Sequence, residues 1–323
     1  MDILISEDLD SPAIKKLAGK FQIVRESELW KDSAKQKTLL GEARAIMVRN
    51  QTQLTAEILS AAPKLQAIGR VGVGLDNIDV KCATERGIVV IAPLNANATS
   101  VAELTFGLML SLARKIPFAD RSTKSFEWDR KNCTGMEIDG KTILVCGFGR
   151  IGRMVAARAR AFGMCIVVFD PFINKNSTAV GEAGATMVSK LEAGLAVADF
   201  VTVHSPLTAQ TRHMFNAKTF AAMKHGSFFI NTSRGGVMDE SALIDALEKK
   251  HLGGAALDVR EVEPPVGKCR FAEMDNVILT PHIGAFTGEA QTRAMECVCE
   301  DLGRVLSGQP AIHFVNIPSP QRH

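Results

Sequence analysis

The sequence predicts an α/β protein with two doubly wound parallel-sheet domains. Short runs of β-branched and other apolar residues alternate with longer helical stretches along the whole chain. This alternation is typical of α/β folds. Most of the short runs are continuously apolar, as strands buried on both faces are, which favours parallel sheets covered by helices. The length of 323 residues favours two domains.

The predicted strands fall into two groups. The first group covers residues 2–5, 21–24, 44–48, 66–70 and 88–91. The second covers residues 142–146, 165–169, 199–203, 227–231, 254–258 and 276–280. Between the groups, residues 100–116 predict a helix that is apolar nearly all round and is therefore buried on more than one side. Ser100 and Glu103 predict a capping box at its start. We expect this helix to connect two domains, to form a core helix, or to pack against a second subunit.

The end of the sequence predicts a return to the first domain. A helical stretch near 288–306 is followed by the segment AIHFVNIP at 311–318, which is too short to form a domain of its own. We expect this segment to cross back onto the N-terminal sheet. The predicted domains are therefore residues 1–97 with 289–323, and residues 98–288.

Composition excludes several classes of function. The net charge is only +3 and basic residues are scattered among acids, so we expect no nucleic-acid partner. Apolar runs stay shorter than the eighteen residues of a membrane span, so no membrane partner is expected. The seven cysteines are an odd number, and Cys146 and Cys165 lie in predicted core strands, which indicates reduced thiols and a cytoplasmic protein. Cys297-x-Cys299 lacks a second ligand pair, so no metal site is predicted.

A glycine motif predicts a dinucleotide site. Gly147-x-Gly149-x-x-Gly152 directly follows an apolar strand and opens a helix, and Asp170 ends the next strand. The glycines permit a tight turn and close approach of a pyrophosphate, while the helix N-terminus supplies N–H groups. Asp170 can accept hydrogen bonds from ribose hydroxyls and would repel a 2′-phosphate, so NAD is the predicted cofactor rather than NADP.

Further polar residues follow the predicted strands, where open α/β sheets bind their ligands. His282 follows the last strand, and a histidine there is either a structural group or a proton carrier. Glu263 could orient its ring and favour the protonated form, although an acid before two prolines is often a surface residue. Arg234, at the end of a buried strand, needs an anion and suits a substrate carboxylate.

Seven stretches carry a resemblance to a known family over essentially the full chain: GRVGVGLDNID, SVAELTFGLMLSLAR, CGFGRIGRMVA, VHSPLTAQTRHMF, INTSRGGVMDE, GAALDVREVEPP and TPHIGA. The chain resembles the D-isomer-specific 2-hydroxyacid dehydrogenases. This resemblance implies a Rossmann-type cofactor domain inserted in a flavodoxin-like substrate domain, an active site in the cleft, and a homodimer or dimer-based tetramer.

The resemblance also implies roles for individual residues. The family's catalytic arginine, glutamate and histidine fall on Arg234, Glu263 and His282. Its NAD contacts fall on Gly147, Gly149, Arg150, Ile151, Gly152, Asp170, His204, Ser205, Pro206, Thr211, Thr232, Ser233, Asp258 and Gly284. Its substrate contacts fall on Arg49, Asn50, Arg70, Val71, Gly72, Val73 and Gly74.

The implied reaction is hydride transfer between NAD and C2 of a small D-2-hydroxy acid. In family members that oxidise D-3-phosphoglycerate to 3-phosphohydroxypyruvate in serine biosynthesis, arginines matching Arg49 and Arg70 contribute to the phosphate site, so the resemblance implies this substrate. Asn50, where the family usually has serine, and the unusual stretch IAPLNANATS leave other acids open: sulfolactate, glycerate or hydroxypyruvate, and glyoxylate. An NAD-sensing scaffold resembling the family's corepressors is the alternative from another class.

Overall fold

The computed structural model describes residues 1–174, 177–267 and 269–317, and the chain divides into two compact units. Unit 1 comprises Met1–Asn97 and the segment from Ala285 onward, and unit 2 comprises Ala98–Gly284. The chain therefore returns from unit 2 to unit 1 after Gly284, four residues before the predicted boundary at residue 288. The reason is that residues 285 and 286 contact unit 1: Gln291 Nε2 donates to the Ala285 carbonyl (2.7 Å), and the Arg49 guanidinium lies over the Phe286 ring. Residues 318–323 of the predicted substrate domain lie outside the described residues.

Unit 1 contains a five-stranded sheet. Its strands are β1 (Ile3–Ile5), β2 (Ile23–Arg25), β3 (Ala45–Val48), β4 (Ala67–Arg70) and β5 (Val89–Ile91). Its first helices are α1 (Pro12–Ala18), α2 (Ser33–Leu40), α3 (Ala56–Ser60) and α4 (Val80–Glu85), with a 3-10 turn at Leu29–Lys31. All pairings are parallel, and the strand order is β2-β1-β3-β4-β5. This is the flavodoxin-like order, so the predicted fold of this unit is confirmed.

Unit 2 contains a seven-stranded parallel sheet. Its strands are β6 (Thr142–Cys146), β7 (Cys165–Phe169), β8 (Thr186–Met187), β9 (Phe200–Val203), β10 (Phe228–Asn231), β11 (Gly254–Leu257) and β12 (Val277–Leu279). Its helices are α5 (Ala98–Ala113), α6 (Ile116–Lys124), α7 (Arg150–Ala161), α8 (Thr178–Glu182), α9 (Leu191–Leu195), α10 (Ala217–Ala222) and α11 (Glu240–Glu248). The 3-10 turns are Gly235–Val237 and Arg270–Glu273.

The strand order of unit 2 is β12-β11-β10-β9-β6-β7-β8. It extends the Rossmann order by one strand, so the predicted Rossmann-type domain is confirmed. The strand β8 was not predicted. It has only two residues at the edge of the sheet, Thr186 is exposed, and so it leaves no continuous apolar run in the sequence.

The helix α5 is buried as predicted, but its predicted capping box is wrong. The helix begins at Ala98, so Ser100 already lies in its first turn and is itself buried. Of the sixteen helical residues only Glu103 and Gly107 are exposed. The apolar side chains of α5 pack into a core cluster with residues of β6 and α7. Contact of this helix with a second subunit stays a prediction.

The last helix, α12 (Gly288–Leu306), completes unit 1. It packs closely on β4: a Cβ added at Gly69 would lie 2.6 Å from Val298 Cγ1. The following segment returns to β5, because Val315 N donates to the Val90 carbonyl (2.9 Å) and Ala92 N donates to the His313 carbonyl (3.0 Å). This return was predicted and is confirmed for the described residues up to 317.

A buried carboxylate anchors that returning segment. Asp301 is fully buried, and its oxygens accept the backbone N–H groups of Ile312 (2.9 Å) and His313 (2.7 Å). The ring of His313 also contacts Asp301, through Nδ1 at 3.0 Å. Cys297, Asp301 and His313 place possible metal-ligand atoms within 4.8 Å of one another. The two backbone N–H groups and the His313 ring that contact Asp301 all belong to the returning segment, so the cluster is explained as a structural anchor. Among the described residues, no helix is long and apolar enough to cross a lipid bilayer.

Candidate active site at the carboxyl ends of the unit 2 strands

The glycine turn after β6 has the shape that the sequence predicts for a pyrophosphate site. Gly147 has φ +91°, and a Cβ there would lie 2.8 Å from the His204 carbonyl carbon. A Cβ at Gly152 would lie 2.1 Å from the Gly147 carbonyl oxygen, whereas one at Gly149 would meet nothing within 4 Å. The turn opens the twelve-residue helix α7, whose N-terminal N–H groups suit an anion. The open face at Gly149 fits the pyrophosphate of NAD.

Asp170 lies beside this turn. Its Oδ2 accepts the N–H of Phe148 (2.8 Å) and its Oδ1 accepts the N–H of Phe172 (2.9 Å). A carboxylate offers about four acceptor positions, so each oxygen can still accept a ribose hydroxyl. Arg150 and Ile151 occupy the first two positions of α7, and Arg150 is exposed.

The loop after β9 carries the next group of predicted NAD contacts. His204 Nε2 lies 2.9 Å from Thr202 Oγ1, and burial lowers the pKa of His204 to about 3, so the ring is neutral. Within the described part of the chain, His204 Nδ1 and Ser205 Oγ are buried without a hydrogen-bond partner. Thr211 Oγ1 donates to the Pro206 carbonyl (2.6 Å) and so closes the loop. The two unpaired polar atoms leave hydrogen-bonding capacity for a ligand.

The turn after β10 is ordered by a residue that sequence reasoning did not identify. The Asn231 side chain is fully buried; its Oδ1 accepts Ser233 N (2.9 Å) and Ser233 Oγ (2.8 Å), and its Nδ2 donates to the Arg234 carbonyl (3.0 Å). Thr232 is held from the other side by Thr105 of α5, with hydroxyl oxygens 3.0 Å apart. The signal that could have identified this residue is the amide side chain of Asn231 at the end of the otherwise apolar strand β10.

Asp258, which follows β11, shapes the loop that carries His282. It is 1% exposed; Oδ1 accepts Ile283 N (2.9 Å) and Oδ2 accepts Gly284 N (2.8 Å). The Asp258 carbonyl also accepts the N–H of His282 (2.8 Å). These bonds hold His282 at φ +55°, a left-handed conformation that costs free energy and persists only where surrounding contacts impose it. The predicted contact of Asp258 with the cofactor stays a prediction.

The three predicted catalytic residues come from the loops after β10, β11 and β12, which are neighbours in the sheet. His282 Nδ1 lies 2.6 Å from Glu263 Oε2, and Arg260 N donates to Glu263 Oε1 (2.9 Å). Burial raises the pKa of Glu263, but the hydrogen bonds from His282 and Arg260 and the charges of His282 and Arg234 outweigh it, so the pKa is lowered overall. Glu263 is therefore ionised, and it interacts electrostatically with both other members of the triad.

In unit 1, a second buried carboxylate that the sequence analysis did not identify orders the loop after β3. Glu7 is 4% exposed, and its two oxygens accept the backbone N–H groups of residues 49–52 at 2.8–3.2 Å. The Arg49 guanidinium donates to Gln291 Oε1 and lies 4.6 Å from the Phe286 ring centroid. Burial lowers the pKa of Arg49, and the charge of Glu7 opposes that shift. The side chain of Asn50 is exposed.

The loop after β4 holds the remaining predicted substrate residues. Arg70 Nη1 donates to the Val71 carbonyl (2.7 Å), and Val71 N donates to the Val48 carbonyl (2.8 Å). Gly72 has φ +149°, and a Cβ there would lie 2.1 Å from Arg70 Nη1, so the guanidinium folds over this glycine. Val73 and Gly74 are half-buried. The loop therefore carries one cation and a glycine-rich backbone at the carboxyl edge of the unit 1 sheet.

Comparison with known proteins agrees with the resemblance. Residues 106–284 match the family model of the D-isomer specific 2-hydroxyacid dehydrogenase, NAD binding domain. The chain is 44% identical over 318 residues to the D-3-phosphoglycerate dehydrogenase of Methanocaldococcus jannaschii, covering 98% of the chain and 60% of that protein. It is 40% identical over 316 residues to the D-3-phosphoglycerate dehydrogenase of Homo sapiens, covering 97% and 58%. The chain thus spans less than two thirds of the length of either relative.

A solved structure gives the same result. The D-lactate dehydrogenase from Aquifex aeolicus, complexed with NAD and lactic acid, superposes with a TM-score of 0.88 at 29% identity, covering 98% of this chain and 100% of that one. The family model covers more than half of the present chain and lies within unit 2. The chain therefore belongs to the D-isomer-specific 2-hydroxyacid dehydrogenase family, and its unit 2 contains the NAD-binding domain of that family.

Proposed function

We propose that this protein oxidises a small D-2-hydroxy acid with NAD, reversibly, and that the acid is D-3-phosphoglycerate, giving 3-phosphohydroxypyruvate. The observation that carries this proposal is the contact of 2.6 Å between His282 Nδ1 and the ionised Glu263 carboxylate, which also interacts with Arg234. An acid-oriented histidine beside a cation is what a 2-hydroxy acid requires, since one group must exchange the hydroxyl proton and another must bind the carboxylate.

The tautomer of His282 follows from its partner. An ionised carboxylate only accepts hydrogen bonds, so the ring nitrogen that faces Glu263 must carry a proton. The neutral ring therefore has its lone pair on Nε2, ready to take the proton of a substrate hydroxyl. In the reverse direction the doubly protonated ring returns that proton to the carbonyl oxygen. Glu263 stabilises this charged form and fixes the ring plane.

Arg234 binds the carboxylate of the acid, because its guanidinium offers two parallel donors that match the two oxygens. NAD would be held by the open face at Gly149, the N-terminus of α7 and the loop after β9, beside Asp170. Bound there, it would supply the hydride acceptor for C2 of the acid. Asp170 selects NAD, since its charge repels a 2′-phosphate.

The choice of a phosphorylated acid rests on two cations in unit 1. Arg49 directly follows β3 and Arg70 is the last residue of the adjacent strand β4, and both are proposed to bind the phosphate. The relatives named D-3-phosphoglycerate dehydrogenase, at 40–44% identity over nearly the whole chain, support this substrate. Sulfolactate carries a comparable second anion, whereas glycerate and glyoxylate do not.

The test is NAD reduction, followed as absorbance of the reduced cofactor, with D-3-phosphoglycerate, sulfolactate, D-glycerate and D-lactate in parallel. We expect the highest kcat/KM with D-3-phosphoglycerate and its loss in Arg49→Gln and Arg70→Gln. His225→Ala, which changes an exposed histidine of unit 2 outside the predicted site, is the control for effects of substitution alone and should retain wild-type turnover. If the protein binds NAD but oxidises none of the acids, the proposed dehydrogenase activity is refuted and the scaffold alternative is supported.

Assembly and location are further proposals. We propose a homodimer or a dimer-based tetramer, as the family resemblance implies, and a cytoplasmic location, as the odd number of cysteines indicates. Light scattering coupled to gel filtration should give two or four times the mass of the 34.8 kDa chain, and a monomer would refute the assembly.

A further inference from the structure

A nearly buried ion pair lies behind the loop that carries Glu263. Arg260 Nε donates to Glu240 Oε1 (2.9 Å) and Arg260 Nη2 donates to Glu240 Oε2 (2.7 Å), a two-pronged pair. The two side chains are only 13% and 15% exposed. Neither residue belongs to the triad, and pairs of this kind have a defined geometry because both donors must meet both acceptors. The pair therefore fixes where residue 260 lies relative to the start of α11.

The same carboxylate also holds the backbone of the loop. Glu240 Oε1 accepts the N–H of Glu261 (2.7 Å) in addition to Arg260 Nε. Arg260 N in turn donates to Glu263 Oε1 (2.9 Å), whose other oxygen contacts His282. A continuous chain of hydrogen bonds thus runs from Glu240 to the proton-carrying ring.

The loop is also in close contact with the residue after Arg234. A Cβ at Gly235 would lie 1.8 Å from the Arg260 carbonyl oxygen and 2.5 Å from Glu261 N. No side chain fits between the two segments, so residues 260 and 261 pack directly against the backbone beside Arg234. The segment that contacts the orienting acid therefore also contacts the chain next to the carboxylate-binding arginine.

Other groups surround the ion pair. Arg260 Nη2 also contacts Cys269 Sγ (3.0 Å), and its guanidinium lies 5.1 Å from the Phe271 ring centroid. Glu261 Oε1 lies 2.6 Å from His213 Nε2, which ties the outer side of the loop to the segment after β9. These contacts restrain the loop from several sides, but among the residues that the structure describes only Glu240 is hydrogen-bonded to both the side chain of Arg260 and the backbone of Glu261.

We propose that Arg260 and Glu240 are positioning residues for the triad, holding Glu263 against His282 and the neighbouring backbone beside Arg234. This proposal rests on the proposed function, because the effect it describes is on turnover. In the proposed role, neither Arg260 nor Glu240 contacts the substrate or the cofactor. They act by fixing the loop, and a displacement of about 1 Å at a catalytic group can lower the rate by about 100-fold.

The experiment compares Arg260→Gln and Glu240→Gln with wild type and with Glu263→Gln in steady-state kinetics across pH. We expect kcat to fall about 10- to 100-fold with little change in KM for NAD. The midpoint of the pH–rate profile should move in the same direction as in Glu263→Gln, since both changes remove the acid from His282. Arg260→Lys, which keeps the charge but not the fork, should recover part of the rate.

The matched control is the ion pair between Arg270 and Glu248, which joins the far end of the same loop to the same helix α11 but is exposed. Arg270→Gln should leave kcat and the pH profile at wild-type values. Wild-type kcat in folded Arg260→Gln, or an equal loss in Arg270→Gln, would overturn the proposal. If the single variants do not fold, the double variant Glu240→Gln with Arg260→Met removes both buried charges together, and wild-type kcat in it would also overturn the proposal.

A second readout separates this proposal from the proposed function. The ring nitrogen signals of His282, assigned by their loss in His282→Ala, can be followed by NMR with labelled histidine. Arg260→Gln should shift these signals and Arg270→Gln should not, whether or not any acid is oxidised. Absence of turnover in wild type would refute the function alone, whereas unshifted signals in Arg260→Gln would refute the positioning role.

Discussion

Two glycines of the same turn should separate stability from cofactor binding. A Cβ at Gly152 would lie 2.1 Å from the Gly147 carbonyl oxygen, whereas Cβ atoms in proteins essentially never approach another heavy atom closer than 3.0 Å. A Cβ at Gly149 would meet no atom within 4 Å, and the φ of −73° suits an ordinary residue. The methyl of Gly152→Ala therefore meets the protein itself, and that of Gly149→Ala meets the space where the pyrophosphate should lie.

The magnitudes follow from those contacts. To accept Gly152→Ala, the turn must move by about 1 Å, and overpacking of this kind costs about 1–3 kcal/mol. For a unit of this size, each kcal/mol lowers Tm by about 2–4 °C. Gly149→Ala should leave Tm unchanged or raise it slightly, since restricting the unfolded chain contributes about 0.4–1 kcal/mol. Its affinity for NAD should fall at least about tenfold, which corresponds to about 1.4 kcal/mol.

Thermal unfolding and titration with NADH fluorescence measure the two effects on each variant. Gly226→Ala is the control for stability strain alone, because Gly226 has φ +78° but nothing near its Cβ position and lies far along the chain from the turn. Normal NAD affinity in Gly149→Ala would refute the assignment of this turn to the pyrophosphate. A wild-type Tm in Gly152→Ala would refute the packing argument.

Other predictions concern single carboxylates and His282, the proposed proton carrier. His282→Ala should lower kcat by orders of magnitude but leave NAD affinity nearly intact, as measured by turnover and by NADH titration; lost NAD binding would contradict its role. Asp170→Ala should lower the ratio of kcat/KM for NAD over NADP, and an unchanged ratio would remove Asp170 from cofactor selection. Glu7→Gln should leave two of four backbone N–H groups without an acceptor, lowering the free energy of unfolding by about 2–4 kcal/mol in denaturant titration. The pKa of Glu263 is lowered on folding, so its ionised form stabilises the fold at pH values above its ordinary pKa of 4.5. This contribution is lost as the pH falls through the lower folded pKa, so the stability deficit of Glu263→Gln should shrink in unfolding curves recorded at increasingly acid pH below 4.5.

Much of the fold could be predicted because its signals are local. Strands buried on both faces leave continuous apolar runs, and the glycine turn with Asp170 lies within one short stretch of chain. The sequence did not predict β8, because a strand of two residues at the edge of a sheet leaves no continuous apolar run. The predicted capping box at Ser100 was wrong because the helix begins two residues earlier, at Ala98. The spacing of Ser100 and Glu103 alone did not determine where the first turn forms.

The site was predictable only where topology converts order along the chain into proximity. Loops that follow neighbouring parallel strands lie at one edge of the sheet, which placed Glu263 in contact with His282 and within reach of the charge of Arg234. The supporting groups gave no such signal. Glu7 and the loop it holds are more than forty residues apart, and the pair of Arg260 and Glu240 depends on side-chain directions that no periodicity specifies.

The path of the chain has a consequence for synthesis. Every strand of unit 2 lies in one continuous stretch, Ala98–Gly284, whereas the core of unit 1 requires α12, whose Val298 packs against Gly69. During synthesis on the ribosome, the five strands of unit 1 cannot pack against α12 until the whole of unit 2 has been translated. These five strands therefore reach their native packing only after unit 2 has been synthesised, and their apolar faces are accessible to chaperones until then.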